Sequence, residues 1–277
     1  MKKIIPVWRS NIKYWRTFNQ ITFGRDLACP KCGLVGMKEN YQTKYLWCST
    51  CRRKWRYGSF RGTFLYGTKL EPKRLYQLIW CYLNRTNIET IRVLTGLSYT
   101  TIERWFELLR HNIPYNPELE PKLSGTVKID ESYVGKQKSV QDQVIIVGAI
   151  EAYPDPVTGI CRICVKLTNS RSKDCLEDFC EQHIEHGSTI ISDKWMGYID
   201  LEYMGYDHFP FNHDKGEFTY TNQVEGLWSE IKRYARRTHG KILTDKITLI
   251  LNEWEARHNC PELFKSVEKF LQRTLQR

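Results

Sequence analysis

Gly125-Thr126-Val127-Lys128-Ile129-Asp130-Glu131-Ser132-Tyr133-Val134-Gly135 is the stretch on which the fold turns. Apolar and polar residues alternate as far as Asp130, the period-two signal of a half-buried strand, so a carboxylate stands at the strand's end. Downstream, Val144 to Ala152 is a near-continuous apolar run and Gly159 to Leu167 another, with Pro154-Asp155-Pro156 turning the chain between them. Three strands in succession predict an antiparallel meander. Ser172 to Gln182 reads as a helix, and Thr189-Ile190-Ile191-Ser192-Asp193 as a buried strand that again ends in an acid. After a loop carrying His208 and His213, Val224, Leu227, Trp228, Ile231 and Ala235 recur at helical spacing among Lys and Arg. Glu225, Trp228 and Lys232 then share roughly one face of that helix. The order of elements describes a mixed α/β sheet with flanking helices, its acids gathered in one place.

Those acids suit one chemistry. Phosphoryl transfer on DNA needs two divalent cations that activate the attacking oxygen and stabilise the leaving one. Hard Mg²⁺ or Mn²⁺ prefers carboxylates. Asp130, Asp193 and Glu225 form the expected ligand set, one acid bridging both ions. Any one of them alone reads as a strand-end cap or a solvated charge; their joint placement makes the site. Glu131 leaves the strand on the opposite side from Asp130 and is the weaker candidate. His208 and His213 either orient water or phosphate or are structural. Cys161 and Cys164 form a CxxC inside a strand, where they face opposite sides and read as core thiols rather than ligands.

Lys+Arg 42 against Asp+Glu 31 leaves a formal net charge of +11 over 277 residues, which favours a polyanionic partner, nucleic acid first. No apolar run approaches the roughly 20 residues a membrane span needs, and the charged start Met1-Lys2-Lys3 precedes too short an apolar stretch for a secretory signal. The ten cysteines are read as belonging to a reducing compartment, because the spacing of the first four points to metal. Cys29-Pro30-Lys31-Cys32 and Cys48-Ser49-Thr50-Cys51 put four thiolates on two tight turns, as one structural tetrahedral Zn²⁺ requires. Four Cys ligands leave no open position, so this zinc serves folding. Arg52, Arg53, Lys54 and Arg56 rim the ribbon as phosphate contacts. Ahead of it, Trp8, Trp15, Phe18 and Phe23 sit among basic residues and either pack on the next unit or lie along nucleic acid. After Pro72, helices at 73–83 and 87–94 lead through Thr95-Gly96-Leu97-Ser98 into a helix at 99–109, the grammar of a helix-turn-helix. Its last helix presents Tyr99, Thr100 and Arg104 to a major groove; a plain helical bundle uses the same turns. Pro114, Pro117 and Pro121 mark a domain boundary.

Asp130-Glu131-Ser132-Tyr133-Val134-Gly135, Ile191-Ser192-Asp193-Lys194-Trp195-Met196-Gly197-Tyr198 and Thr221-Asn222-Gln223-Val224-Glu225-Gly226-Leu227-Trp228-Ser229-Glu230-Ile231-Lys232-Arg233 resemble, in order, the three signature blocks of DDE transposases of the Merlin superfamily and its bacterial insertion-sequence relatives. The resemblance spans roughly residues 125 to 258. It implies an RNase H-like catalytic domain that nicks transposon ends with a metal-activated water and joins the freed 3′-hydroxyl to target DNA. It also implies catalytic acids at Asp130, Asp193 and Glu225, with Lys232 as a downstream cation that touches DNA; Lys194, Asn222, Arg233 and Arg236 are read as further DNA contacts. Tyr220 stands where the family often has His, and some relatives use Asn as the third ligand, which makes Asn222 a rival or helper to Glu225. The expected organisation is a basic aromatic segment at 1–25, a zinc ribbon at 26–62 and a helix-turn-helix-like domain at 68–113. An RNase H-like domain at 123–258 and a C-terminal helix at 259–277 complete it. The helices expected at 241–258 and 261–276 cover the sheet or make a subunit contact. A transposase of this kind works on double-stranded DNA as a homodimer or larger homo-oligomer, away from membranes, in the cytoplasm and nucleoid of a bacterium or the nucleus of a eukaryote. The alternatives are a domesticated DNA-binding protein without catalysis and an RNase H-like nuclease or resolvase.

Overall fold

The computed structural model describes residues 8–61, 63–135, 143–211, 222–239 and 246–275. Its contacts divide the chain into two units, Met1–Pro114 with Glu262–Arg277, and Tyr115–Pro261.

In the first unit, helix α1 (Asn11–Phe23) buries Trp15, Phe18 and Phe23 in the same core as Leu46, Cys29 and Cys48 of the ribbon. The aromatic residues of the N-terminal segment are therefore packing groups, which settles the choice left open for Trp15, Phe18 and Phe23. Strands β1 (Lys38–Asn40), β2 (Tyr45–Cys48) and β3 (Arg53–Trp55) form an antiparallel sheet in register Leu46 to Trp55. Each cysteine pair is followed by a left-handed residue, Gly33 at φ +72° and Arg52 at φ +51°, which turns the chain tightly behind the sulfurs. Helices α2 (Pro72–Leu83), α3 (Ile88–Thr95) and α4 (Tyr99–His111) follow the predicted pattern, with Asn87 and Ser98 accepting from the Thr90 and Thr101 N–H groups as N-caps. Gly96 closes α3 in the left-handed conformation, which a side chain would strain.

The last helix departs from expectation. Helix α8 (Val267–Leu275), expected to cover the catalytic sheet or meet another subunit, packs against α1 and α2 and buries Val267, Phe270 and Leu271 in their core. Tyr76 Oη donates to Glu268 at 2.7 Å. An amphipathic helix needs an apolar surface, and this one finds it in the N-terminal unit.

The second unit is built on a five-stranded sheet. β4 (Thr126–Gly135), β5 (Gln143–Glu151) and β6 (Ile163–Thr168) make the predicted antiparallel meander, and β7 (Thr189–Asp193) and β8 (Asp207–Phe211) add in parallel on the other side of β4. The order β6-β5-β4-β7-β8 with flanking helices is the RNase H-like mixed sheet. Helix α5 (Lys173–His183) covers one face over Val127, Ile129 and Val147; α6 (Asn222–His239) and α7 (Ile247–Asn259) cover the other over Val134, Ile146 and Val165. On edge strand β6, Glu255 and Asn259 of α7 accept from the N–H groups of Val165 and Ile163, capping backbone that an edge leaves unpaired. Asp130, expected at the end of its strand, lies in the middle of β4, because the pairing with β5 runs on to Gly135. Two further differences from the sequence reading stand out. The segment holding His208 is a strand rather than a loop, and the helix expected from 241 is seen from Ile247, residues 241–245 lying outside the described ones. Cys161, expected inside a strand, lies just before β6 and is partly buried against the α6 and α7 side, while Cys164 in β6 joins the α5-side core.

Candidate functional site

Strand alternation sends neighbouring acids to different layers. Asp130 follows Lys128 and precedes Ser132 on the α6 face of β4, whereas Glu131 shares the α5 face with Val127 and Ile129. Parallel pairing of β4 with β7 runs through Lys128 to Ile191, and just beyond it Asp193 ends β7. One ligand oxygen from each of Asp130, Glu131 and Asp193 lies within 4.8 Å of the other two. The donor set is all carboxylate, which fits a hard divalent cation.

Each acid is held differently. Asp130 Oδ2 accepts from the indole N–H of Trp228 at 2.8 Å. Burial raises the Asp130 pKa; the Trp228 and Glu131 N–H bonds oppose this, and the charges of Asp193 and Glu225 add to it. Glu131 is fully enclosed, its side chain 1% exposed. Tyr198 Oη donates to it at 2.6 Å and Arg171 Nη2 at 3.1 Å, yet burial still holds its pKa above the usual carboxylate range. Asp193 is partly open, accepts from the Trp195 N–H at 3.1 Å, and lies 4.0 Å from Arg171. Arg171 in turn stacks on Trp195, 4.7 Å from its ring centroid.

Glu225 sits in the first turn of α6, solvent-exposed and outside the three-acid group, although its charge is felt at Asp130. The Asn222 side chain lies outside the described residues. Lys232 Nζ donates to Ser132 Oγ at 2.8 Å, which holds this cation on the Asp130 face of β4. Lys194, Arg233 and Arg236 are exposed. His208 bonds Ser192 Oγ through Nε2 at 2.8 Å, an arrangement that braces β8 against β7; His213 lies outside the described residues.

In the N-terminal unit, Cys29 and Cys51 sulfurs stand 3.6 Å apart and those of Cys32 and Cys48 3.4 Å apart, all four within 4.8 Å. Four sulfurs at ~2.3 Å around one tetrahedral metal would be about 3.8 Å apart, so the cluster fits zinc. Arg52, Arg53 and Lys54 are exposed beside it and Arg56 is half-buried. Tyr99, Thr100 and Arg104 are exposed at the start of α4, with Tyr99 Oη donating to Glu103 at 2.9 Å.

Comparison with protein families says which kind of domain carries this geometry. Residues 122–259 match the family described as the ISXO2-like transposase domain. These residues form a transposase domain of that family. No curated protein matches the chain in sequence. Among solved structures it is similar to the cryo-EM structure of a simian T-cell lymphotropic virus intasome in complex with PP2A regulatory subunit B56 gamma, at 10% identity and TM-score 0.33. That match covers 65% of this chain and 66% of that one, just under two thirds of its length, and is too loose to carry an argument.

Sequence reasoning missed Arg171 and Tyr198 as partners of Glu131, because neither belongs to a local pattern. It also passed over Gly148. An isolated glycine inside an apolar strand signals close approach of another group, and that signal was available. Among the described residues, no helix is long and apolar enough to cross a membrane.

Proposed function

We propose that this protein is a metal-dependent DNA transposase that binds transposon terminal repeats, cuts phosphodiester bonds at the ends and joins the 3′-hydroxyl ends to target DNA. What carries the reading is the approach within 4.8 Å of the Asp130 and Asp193 ligand oxygens, one from the middle of β4 and one from the end of the adjoining parallel strand β7, inside a transposase domain. Asp130, Asp193 and Glu225 would hold two Mg²⁺ or Mn²⁺ ions, with Asn222 assisting or replacing Glu225. Such ions supply a lowered pKa for the attacking water or hydroxyl and charge stabilisation for the leaving oxygen.

The protein's own groups do the rest. Asp130 and Asp193 would set where the cations sit, and Lys232, anchored on Ser132, neutralises a flanking phosphate on the Asp130 side. Lys194, Arg233 and Arg236 extend that basic surface. The ribbon rim of Arg52, Arg53, Lys54 and Arg56 and the α4 residues Tyr99, Thr100 and Arg104 bind the transposon ends, in keeping with the net charge of +11. Cys29, Cys32, Cys48 and Cys51 would hold one structural Zn²⁺. We further propose a homodimer or larger assembly acting where DNA is, inside the cell.

The test is an assay on labelled transposon-end DNA with Mg²⁺. Joined products support the proposal; cleavage alone would instead indicate a nuclease or resolvase, and binding without either a DNA-binding protein. Asp130→Ala and Asp193→Ala are expected to drop cleavage to background while leaving DNA binding intact, and cleavage retained by either sinks the site assignment. Glu225→Gln against Asn222→Ala separates the third ligand: an active Glu225→Gln beside a dead Asn222→Ala gives the role to Asn222.

A further inference from the structure

Asp130 on β4 is paired directly with Gly148 on β5. Helix α6 lies on β4 and β5 at this point, and the indole of Trp228 rests on the glycine. A Cβ at position 148 would stand 2.3 Å from Trp228 Cη2, closer than real Cβ contacts come, and 3.0 Å from Cζ2 of the same rigid ring. Gly148 lies inside a regular strand and has no left-handed φ, so backbone freedom does not explain it. The room it leaves is for the ring. With its six-membered ring seated there, Trp228 is 6% exposed and directs its N–H at Asp130 Oδ2 from 2.8 Å.

A mere packing group would need no N–H. Indole nitrogen is a donor only, and one bond to one carboxylate oxygen leaves the other oxygen, and further lone pairs, for a cation. Partners that orient a ligand in this way typically set metal affinity and activity by tenfold to a hundredfold.

We infer that Trp228 is a positioning residue for the metal site, fixing the Asp130 carboxylate in its ligating orientation, and that Gly148 exists to admit it. This rests on the reading of Asp130 as a metal ligand. Trp228→Phe keeps an aromatic ring in the core and removes the N–H. Gly148→Ala keeps the N–H and displaces the ring. Both variants have the Asp130 carboxylate but lack its brace.

The experiment measures Mn²⁺ binding to the full chain by calorimetry without DNA, the Mg²⁺ concentration for half-maximal cleavage, and thermal melting. Trp228→Phe is expected to bind Mn²⁺ about tenfold to a hundredfold more weakly and to need correspondingly more Mg²⁺, with DNA binding unchanged. Gly148→Ala should melt several degrees lower and bind Mn²⁺ weakly. Combining it with Trp228→Phe, whose shorter ring relieves the collision, should restore melting to that of Trp228→Phe without restoring metal affinity. A merely structural role predicts the reverse, affinity returning with stability. Native Mn²⁺ affinity in folded Trp228→Phe or in Gly148→Ala overturns the inference. Asp130→Ala separates the two levels: if it abolishes Mn²⁺ binding while Trp228→Phe does not weaken it, only the positioning role falls, and if Asp130→Ala binds Mn²⁺ normally, the metal-site reading itself falls.

Discussion

Arg171→Met is the perturbation that tells whether Glu131 is a strut or a ligand. Glu131 is 1% exposed on its side chain and its countercharge Arg171 is 28% exposed, so the pair is buried at one end and half-open at the other. Removing one partner of a fully buried pair costs ~3–5 kcal/mol, since the other charge is left behind; exposed pairs are worth ~0–1 kcal/mol. With Tyr198 still donating at 2.6 Å and Arg171 partly solvated, the expected loss lies between, about 2 kcal/mol. At roughly 2–4 °C per kcal/mol for a domain of this size, melting should fall by ~4–8 °C. Adding Glu131→Gln removes the stranded charge and keeps an acceptor for Tyr198, so the double variant should recover part of the loss, a coupling visible in a double-mutant cycle. Cleavage at saturating Mg²⁺ is the second readout. As a strut, Glu131→Gln keeps measurable cleavage where Asp130→Ala has none. The reasoning is refuted if the double variant is no more stable than Arg171→Met, or if folded Glu131→Gln is as inactive as Asp130→Ala.

Two other outcomes follow from the same physics. Binding of structural zinc is worth ~10–16 kcal/mol in small zinc domains, as much as the ~5–15 kcal/mol net stability of a whole protein; a chelator or Cys29→Ser is therefore expected to unfold the ribbon and weaken end binding, and zinc content unchanged in Cys29→Ser counts against the four-cysteine site. His183, desolvated by burial and facing the charges of Lys166 and Lys122, with Glu118 opposing, has its pKa lowered to about 4. The unfolded chain then binds more protons than the folded one between about pH 6.5 and 4. Stability from this group is complete above that window and lost as pH falls through it, so His183→Gln should flatten the acid side of the melting-temperature profile, and an unchanged profile refutes the assignment.

What was legible in the chain was what local chemistry writes down. The alternation of Thr126 to Asp130 and the apolar run from Val144 fixed the meander, and Asn87, Gly96 and Ser98 fixed the ends of α3 and α4 because caps act within one turn. The cysteine spacing announced a cluster that the sulfurs form. Strand β8 was hidden: Asp207-His208-Phe209-Pro210-Phe211 has no alternation, and its proline belongs to an edge strand, whose outer side needs no donor. The destination of α8 was equally hidden, since the stripe of Val267, Phe270 and Leu271 says that a helix must be covered but not by which core. Arg171 and Tyr198 reach Glu131 across 40 and 67 residues, and no periodicity encodes such a meeting.

The adjacent pair Asp130-Glu131 shows how one strand serves two ends with the same chemistry. Burial raises the pKa of both carboxyls, and a nearby positive charge favours the ionised form of each. Glu131 obtains it inside the protein, from Arg171, and spends its second oxygen on Tyr198. Among the described residues Asp130 has no ion-pair partner; it has a neutral donor, Trp228, and the charges of Asp193 and Glu225 beside it, which make its ionisation harder still. A folded protein tolerates such a group where something it binds completes it. The asymmetry between two neighbouring acids, one neutralised from within and one braced but left uncompensated, is thus a physical argument for which of them meets the metal, independent of the motif that contains both.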